Sequence, residues 1–140
     1  MGRKRVREQI IAATAPSLGS NEDISACCEV WATECGGRVP LLFKSRSRHY
    51  VALTDQRFIL FRAPPRRHAL SVEDLLIAKR HSAFTLEKLR RYLPLLQVRI
   101  RDATDREIAL EFRPLDRKVG RELAAALGGR TRRRSDSVDW

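Results

Sequence analysis

The sequence predicts a mostly β fold of the α+β class, with about seven short antiparallel strands, a C-terminal amphipathic helix and an extra N-terminal helix. Three observations indicate this fold. Apolar runs over 50–53 and 58–61 flank a polar four-residue turn, as in a β-hairpin. Apolar and polar residues alternate over 95–101 and again over 108–112, which predicts a second hairpin. Near the C-terminus, apolar residues recur at every fourth position, as on one face of a helix.

Periodicity also assigns the first part of the chain. Residues 3–15 place their apolar side chains on one face and predict a helix, whereas residues 24–34 alternate as a strand does. A run over 39–43 contains Pro40 and suits an irregular or edge strand, because proline cannot donate a backbone hydrogen bond. We expect the N-terminal helix to pack on the sheet rather than to dimerise or lie on a membrane, since its apolar stripe is narrow.

The middle of the chain allows more than one interpretation. Ser71 and Asp74 have the spacing of a helix capping box ahead of an apolar run. Phe84 and Leu86, with the polar residues between them, suit a strand.

The spacing of apolar residues predicts the C-terminal helix, and the ends of the two predicted helices set the domain boundaries. The expected apolar stripe consists of Leu115, Val119, Leu123 and Leu127, with Pro114 at the helix start and Gly128 and Gly129 at its end. We therefore divide the chain into an N-terminal helix over 1–18, one domain over 19–129 and a basic, disordered tail over 130–140.

Charge is the strongest compositional signal. The chain carries 28 lysines and arginines against 17 acidic residues, a net charge of +11. A field of this sign favours anionic partners, namely phospholipid headgroups, nucleic acid or an acidic protein. No apolar run approaches the roughly 20 residues that span a bilayer, and the N-terminus lacks the pattern of a signal peptide. We expect a cytoplasmic protein that can lie at the inner face of the membrane.

The hairpin sequence Tyr-Val-Ala-Leu-Thr-Asp-Gln-Arg-Phe-Ile-Leu-Phe over 50–61 resembles the bacterial pleckstrin-homology-like (PH-like, GRAM-related) domain family. Members of that family carry an apolar strand, a Leu-Thr-Asp/Asn-x-Arg turn and a second apolar strand. The similarity continues over 70–77, where the family enters its fourth strand. The resemblance implies a PH-like barrel of about seven antiparallel strands, capped by the C-terminal helix.

The turn residues Thr54, Asp55 and Arg57 are expected to serve the fold. Asp55 can accept backbone hydrogen bonds within the turn. Arg57 can pair with Asp55 or cover a neighbouring apolar face. The hairpin therefore indicates an architecture rather than an activity.

Lys44, Arg46 and Arg48 are the candidate anion-binding residues. They alternate along an extended segment, so they point the same way and suit one phosphate group. The resemblance supports this reading, since phosphoinositide-binding PH domains carry basic residues around the loop between their first two strands. A solvated basic loop without a fixed ligand is the alternative.

Catalytic and metal-binding patterns are missing from the sequence. The three histidines, His49, His68 and His81, have no ligand spacing, and the catalytic motifs that depend on glycine-rich turns are not found. The three cysteines, at 27, 28 and 35, lack paired zinc spacing and are expected to be reduced thiols in a strand. We expect a non-enzymatic protein without a metal or cofactor.

Two classes of partner remain. The first is a binding or scaffolding role toward an unidentified protein partner or an anionic phospholipid surface. The competing hypothesis is nucleic-acid binding, with Arg99, Arg101 and the arginines of 130–134 contacting phosphates. The low aromatic content of 6% disfavours the competing hypothesis, since single-strand binders stack bases on aromatic side chains. The oligomeric state is left open.

Overall fold

The structure, a computed structural model, describes residues 2–34, 47–65, 68–92 and 94–139. The helices and strands in these ranges are α1 (Arg3–Thr14), β1 (Ile24–Glu34), β2 (Ser47–Thr54), β3 (Arg57–Arg62), β4 (Leu75–Arg80), β5 (Phe84–Tyr92), β6 (Leu95–Asp102), β7 (Glu107–Phe112) and α2 (Arg117–Asp139). Within them, the seven strands form one sheet in the order β4-β3-β2-β1-β7-β6-β5. The predicted antiparallel, mostly β fold with two helices is confirmed.

The chain divides into two compact units. The first comprises Met1–Val30 and Arg48–Arg80, and the second comprises Trp31–Ser47 and His81–Trp140. Strand β1 passes from the first unit into the second. Its final residues pair with β7, with Trp31 opposite Glu111 and Glu34 opposite Ile108.

The first unit is built on the β2–β3 hairpin. Tyr50 lies opposite Phe61, and Ala52 lies opposite Ile59, so these four side chains share one face. Helix α1 packs on that face. Their common core consists of Val6, Ile10, Cys27, Tyr50, Ala52, Ile59, Phe61 and Leu70. Burying each Val or Ile side chain contributes about 1.5–3 kcal/mol, which holds this short helix on the sheet. The predicted packing of the N-terminal helix on the sheet is confirmed.

The segment after residue 70 forms a short turn followed by a strand. The capping box between Ser71 and Asp74 is present, but it caps a single 3₁₀ turn, Val72–Asp74, rather than an α-helix. The apolar run that follows is the edge strand β4. Leu75 lies opposite Phe61 while Ile77 lies opposite Leu60, so one extra residue forms a β-bulge there.

The second unit contains the predicted β6–β7 hairpin. At its turn, Asp102 Oδ1 accepts hydrogen bonds from the backbone N–H groups of Thr104 (2.9 Å) and Arg106 (3.0 Å). Asp105 has a φ of 65°, in the left-handed region that Asp tolerates better than most residues. The predicted second hairpin therefore forms, and its turn is closed by an acidic side chain.

Helix α2 packs on the second unit through small as well as large residues. Leu123 and Leu127 are buried, and so are Gly120 and Ala124 on the same side. A Cβ atom added at Gly120 would lie 2.8 Å from Phe112 Cδ1 and 2.9 Å from Leu96 Cδ2. The helix thus approaches the sheet closely because these positions lack bulk.

Two expectations about α2 were wrong. Leu115 is 72% exposed and lies in a 3₁₀ turn, Pro114–Asp116, so it is outside the apolar stripe. The backbone also stays helical to Asp139, although we expected the helix to end at Gly128 and Gly129. A glycine costs about 1 kcal/mol in a helix interior, and the burial of Leu127 against the sheet opposes that cost.

The cysteine prediction is partly testable. Cys27 and Cys28 are buried on β1, as expected of thiols in a strand. Cys35 and the predicted strand over 39–43 lie outside the described residues. Of the helices that the structure describes, none combines the length and the apolar character needed to cross a membrane.

Candidate anionic-surface site

Arg48 is the one predicted anion-binding residue whose position is described. Lys44 and Arg46 lie outside the described residues. Arg48 occupies the second position of β2, and its Nε donates to Glu29 Oε1 at 3.1 Å, while Nη2 lies 3.5 Å from Glu29 Oε2. The Arg48 side chain is 39% exposed and that of Glu29 is 15% exposed. The guanidinium is therefore accessible, but a carboxylate already binds it.

The phenol of Tyr50 also interacts with the Arg48 guanidinium. The Tyr50 side chain is buried, and burial raises the pKa of the phenol above its ordinary value. The hydrogen bond to Glu29 raises the pKa of Arg48, so that cation is permanent. Arg48 can thus offer an incoming anion one fixed positive charge, and the anion must compete with Glu29 for that charge.

The Thr54–Arg57 turn forms a separate, internally satisfied cluster with Glu22, which we term the Glu22 clasp (Glu22, Thr54 and Arg57). Arg57 Nε donates to Glu22 Oε2 at 2.8 Å and Nη2 donates to Oε1 at 2.9 Å. Thr54 Oγ1 donates to Oε2 at 2.7 Å, and the backbone N–H of Gly19 donates to Oε1 at 3.0 Å. Four hydrogen bonds thus satisfy a carboxylate whose side chain is 3% exposed.

The charge of Glu22 follows from these contacts. The hydrogen bonds from Arg57 lower the pKa of the Glu22 carboxyl to about 2, and the bonds from Thr54 and Gly19 act in the same direction against burial. Arg57 Nη2 also donates to the carbonyl of Ser17 at 2.8 Å, which ties the segment after α1 to the hairpin. The clasp therefore binds the chain to itself, and its groups are not available to a ligand.

The partners expected for Arg57 and Asp55 within the turn were wrong. Arg57 pairs with Glu22 rather than with Asp55, and Asp55 Oδ1 accepts from the backbone N–H of Asp23 at 3.2 Å, outside the turn. Thr54 Oγ1 instead accepts the turn hydrogen bonds, at 2.7 Å from the N–H of Arg57. The fold-forming role predicted for these residues is supported, through contacts that sequence spacing did not reveal.

The strand arginines proposed for nucleic-acid contact are paired with acids. Arg99 Nε lies 3.1 Å from Glu107 Oε1, and Arg101 Nε lies 3.1 Å from Glu87 Oε1. Their side chains are 24% and 41% exposed. A phosphate would have to displace a carboxylate from each, so this strand face is less suited to phosphate than its sequence predicts.

Other cations are exposed and carry no such compensation. Those that are exposed and form no ion pair with any residue in the described ranges are Lys4, Arg5, Arg7, Arg62, Lys79, Arg80, Lys88, Arg91, Lys118 and Arg121. Three of them lie within one turn of α1. The positive charge of the chain is thus unevenly balanced, and helix α1 carries a dense part of it.

Comparison with known proteins gives no family assignment. No protein-family model matches this sequence, and no curated protein is significantly similar to it. Among the residues that the structure describes, no three His, Cys, Asp or Glu side chains come together in a group able to hold a metal ion. The arrangement of charge is therefore the main guide to function.

Proposed function

We propose that this chain is a non-enzymatic binding module with a PH-like barrel fold, and that it acts at an anionic membrane surface of the cytoplasmic side or through a protein partner. The strand order, the helix that follows β7 and the Thr-Asp-x-Arg turn all support the PH-like resemblance. The fold alone does not define a ligand. The charge distribution supplies that part of the proposal.

The main support for this function is the difference between cations that are paired with acidic side chains and exposed cations that form no ion pair with a described residue. Arg57, Arg99 and Arg101 are paired with acids. Their charge is used within the fold and contributes little to attracting a partner. The exposed cations without such pairs generate the external field, and each basic residue near an anionic bilayer contributes about 1 kcal/mol to attraction.

Arg48 would take part by exchanging one anion for another. Its guanidinium presents a planar set of donors that suits a carboxylate or a phosphate equally well. A lipid phosphate that reaches this end of β2 would replace Glu29 as the acceptor. Lys44 and Arg46 precede Arg48 in sequence and are proposed to add charge to the same contact.

Vesicle co-sedimentation of the full chain tests the proposal. We expect the protein to pellet with phosphatidylserine-containing vesicles and to stay in the supernatant with phosphatidylcholine alone. The combined substitution Lys44→Ala, Arg46→Ala and Arg48→Ala should weaken pelleting. Equal pelleting with both vesicle types, or none with either, would contradict an anionic membrane function. An unchanged affinity of the triple variant would remove these three residues from the site.

A further inference from the structure

Helix α1 turns one side to the sheet and the other to solvent. Val6, Ile10 and Thr14 are 4%, 0% and 0% exposed, and they follow one another at the four-residue spacing of a helix face. Lys4 and Glu8 lie on the opposite, exposed side, and Arg5 and Arg7 lie at the two edges of that side. The helix therefore lies along the surface of its unit and leaves its outer side accessible.

This outer side is strongly basic. Three of the four cations of the helix, Lys4, Arg5 and Arg7, lie on this side together with the one acid, Glu8, which gives the side a net charge of +2. Lys4, Arg5 and Arg7 are exposed and form no ion pair with any residue that the structure describes. The first turn contains no acidic residue, and a cation close to a helix N-terminus costs about 0.3–1 kcal/mol. Helix stability therefore does not explain these residues.

An aliphatic side chain lies among the cations. Ile11 is 44% exposed, and its spacing from Lys4 and Arg7 places the three side chains on one stripe of the helix. Cations beside an exposed apolar group are typical of helices that bind in the plane of a membrane interface. A nucleic-acid backbone offers contacts for the cations but none for Ile11.

We propose that the outer side of α1 is a docking surface for an anionic phospholipid bilayer. Lys4, Arg5 and Arg7 contact lipid phosphates and carboxylates, and Ile11 enters the boundary between headgroups and acyl chains. The inference shares the anionic bilayer with the proposed function, but it assigns the contact to a surface distinct from Lys44–Arg48. A second copy of the chain is a poor occupant, because a symmetric contact would bring like charges together.

A matched pair of variants tests this surface. One variant combines Lys4→Gln, Arg5→Gln and Arg7→Gln. The control combines Lys88→Gln, Lys118→Gln and Arg121→Gln, which removes three exposed, uncompensated cations elsewhere. Both variants lower the net charge from +11 to +8. Glutamine keeps high helix propensity, and circular dichroism verifies that both variants stay folded.

The measured quantity is the partition onto phosphatidylserine-containing vesicles. Each cation near the surface is worth about fivefold, so the α1 variant should lose roughly 100-fold in partition and the control far less. Ile11→Gln should also weaken partition without any change of charge. Equal losses in the two triple variants would overturn the α1 surface and leave the proposed function standing. Failure of the unaltered chain to bind would overturn both the α1 surface and the membrane role in the proposed function, and so would an α1-dependent preference for duplex DNA over vesicles.

Discussion

Glu22 and Arg57, which lie 35 residues apart in the sequence, form a two-point ion pair with distances of 2.8 and 2.9 Å. The pair joins the connector between α1 and β1 to the turn of the β2–β3 hairpin. The side chains are 3% and 22% exposed, so water screens the pair only weakly. The Thr-Asp-x-Arg turn thus stabilises the fold by holding two distant segments of the chain together.

Removing the Glu22 carboxylate should destabilise the protein. Glu22→Gln leaves Arg57 without its counter-ion in a largely buried position, and breaking such a pair costs about 3–5 kcal/mol when it is fully buried. We expect a loss of about 2–4 kcal/mol in the free energy of unfolding, measured by urea denaturation. The matched control is Glu34→Gln, at an ion pair with Arg106 whose side chains are 59% and 60% exposed. That change should cost less than about 1 kcal/mol. Equal losses of stability in the two variants would show that the Glu22 clasp stabilises the fold no more than an exposed ion pair does.

The same carboxylate makes stability depend on pH. Its pKa is about 2 in the folded protein against an ordinary value of 4.5. Because the folded pKa is the lower one, this contribution is fully present above about pH 4.5 and is lost as the pH falls toward 2. Denaturation of the unaltered chain and of Glu22→Gln across this window should show a stability difference that shrinks with falling pH. A difference that stays constant would contradict the assigned ionisation.

The close approach of α2 predicts an unusual response to alanine. Gly120→Ala would improve helix propensity by about 1 kcal/mol. The added methyl group meets Phe112 and Leu96 at less than 3 Å, and both side chains are buried and cannot move freely. Overpacking of about 1–3 kcal/mol should outweigh the propensity gain, so a net loss is expected in thermal or urea unfolding. Gly19→Ala is the control, since its nearest neighbour would be 3.8 Å away. Stabilisation by Gly120→Ala would show that the helix is not closely packed there.

Glu29 is predicted to restrain anion binding at Arg48. Glu29→Gln removes the internal carboxylate that holds the guanidinium, so affinity for phosphatidylserine-containing vesicles should rise. Glu107→Gln provides the control, because it neutralises a carboxylate paired with Arg99 and changes the net charge equally. The prediction is a larger gain for Glu29→Gln in the same co-sedimentation measurement. Equal gains would mean that only net charge matters and that Arg48 is not part of a site.

The sequence predicted those parts of the fold that depend on local pattern. Alternation predicted β1 and the β6–β7 hairpin, and apolar runs that flank a polar turn predicted the β2–β3 hairpin. Helical periodicity of the apolar residues predicted the core-facing side of α1. The partner of Arg57 could not be found in this way, because Glu22 is distant in the chain and shares no local pattern with the turn. Leu115 fitted the stripe of α2 by spacing alone, and it was misplaced because the chain forms a 3₁₀ turn before the helix begins.

Local sequence pattern was also insufficient to identify the available cations of the candidate site. Basic residues are visible in any sequence, but their ion pairs depend on strand register. Only the structure shows that Arg48 binds Glu29 and that Arg99 and Arg101 bind acids on neighbouring strands, whereas Lys4 is exposed without an ion pair among the described residues. Composition predicted an anionic partner, and the register of the sheet indicates which cations are available to meet one.

The central claim is that the uncompensated cations serve an anionic bilayer. The most direct measurement compares the affinity of the full chain for phosphatidylserine-containing vesicles and for duplex DNA in the same buffer, at about 0.15 M salt, where charges more than about 8 Å apart are screened. We expect clearly tighter binding to the vesicles. Tighter binding to DNA, or no difference between anionic and neutral vesicles, would contradict it.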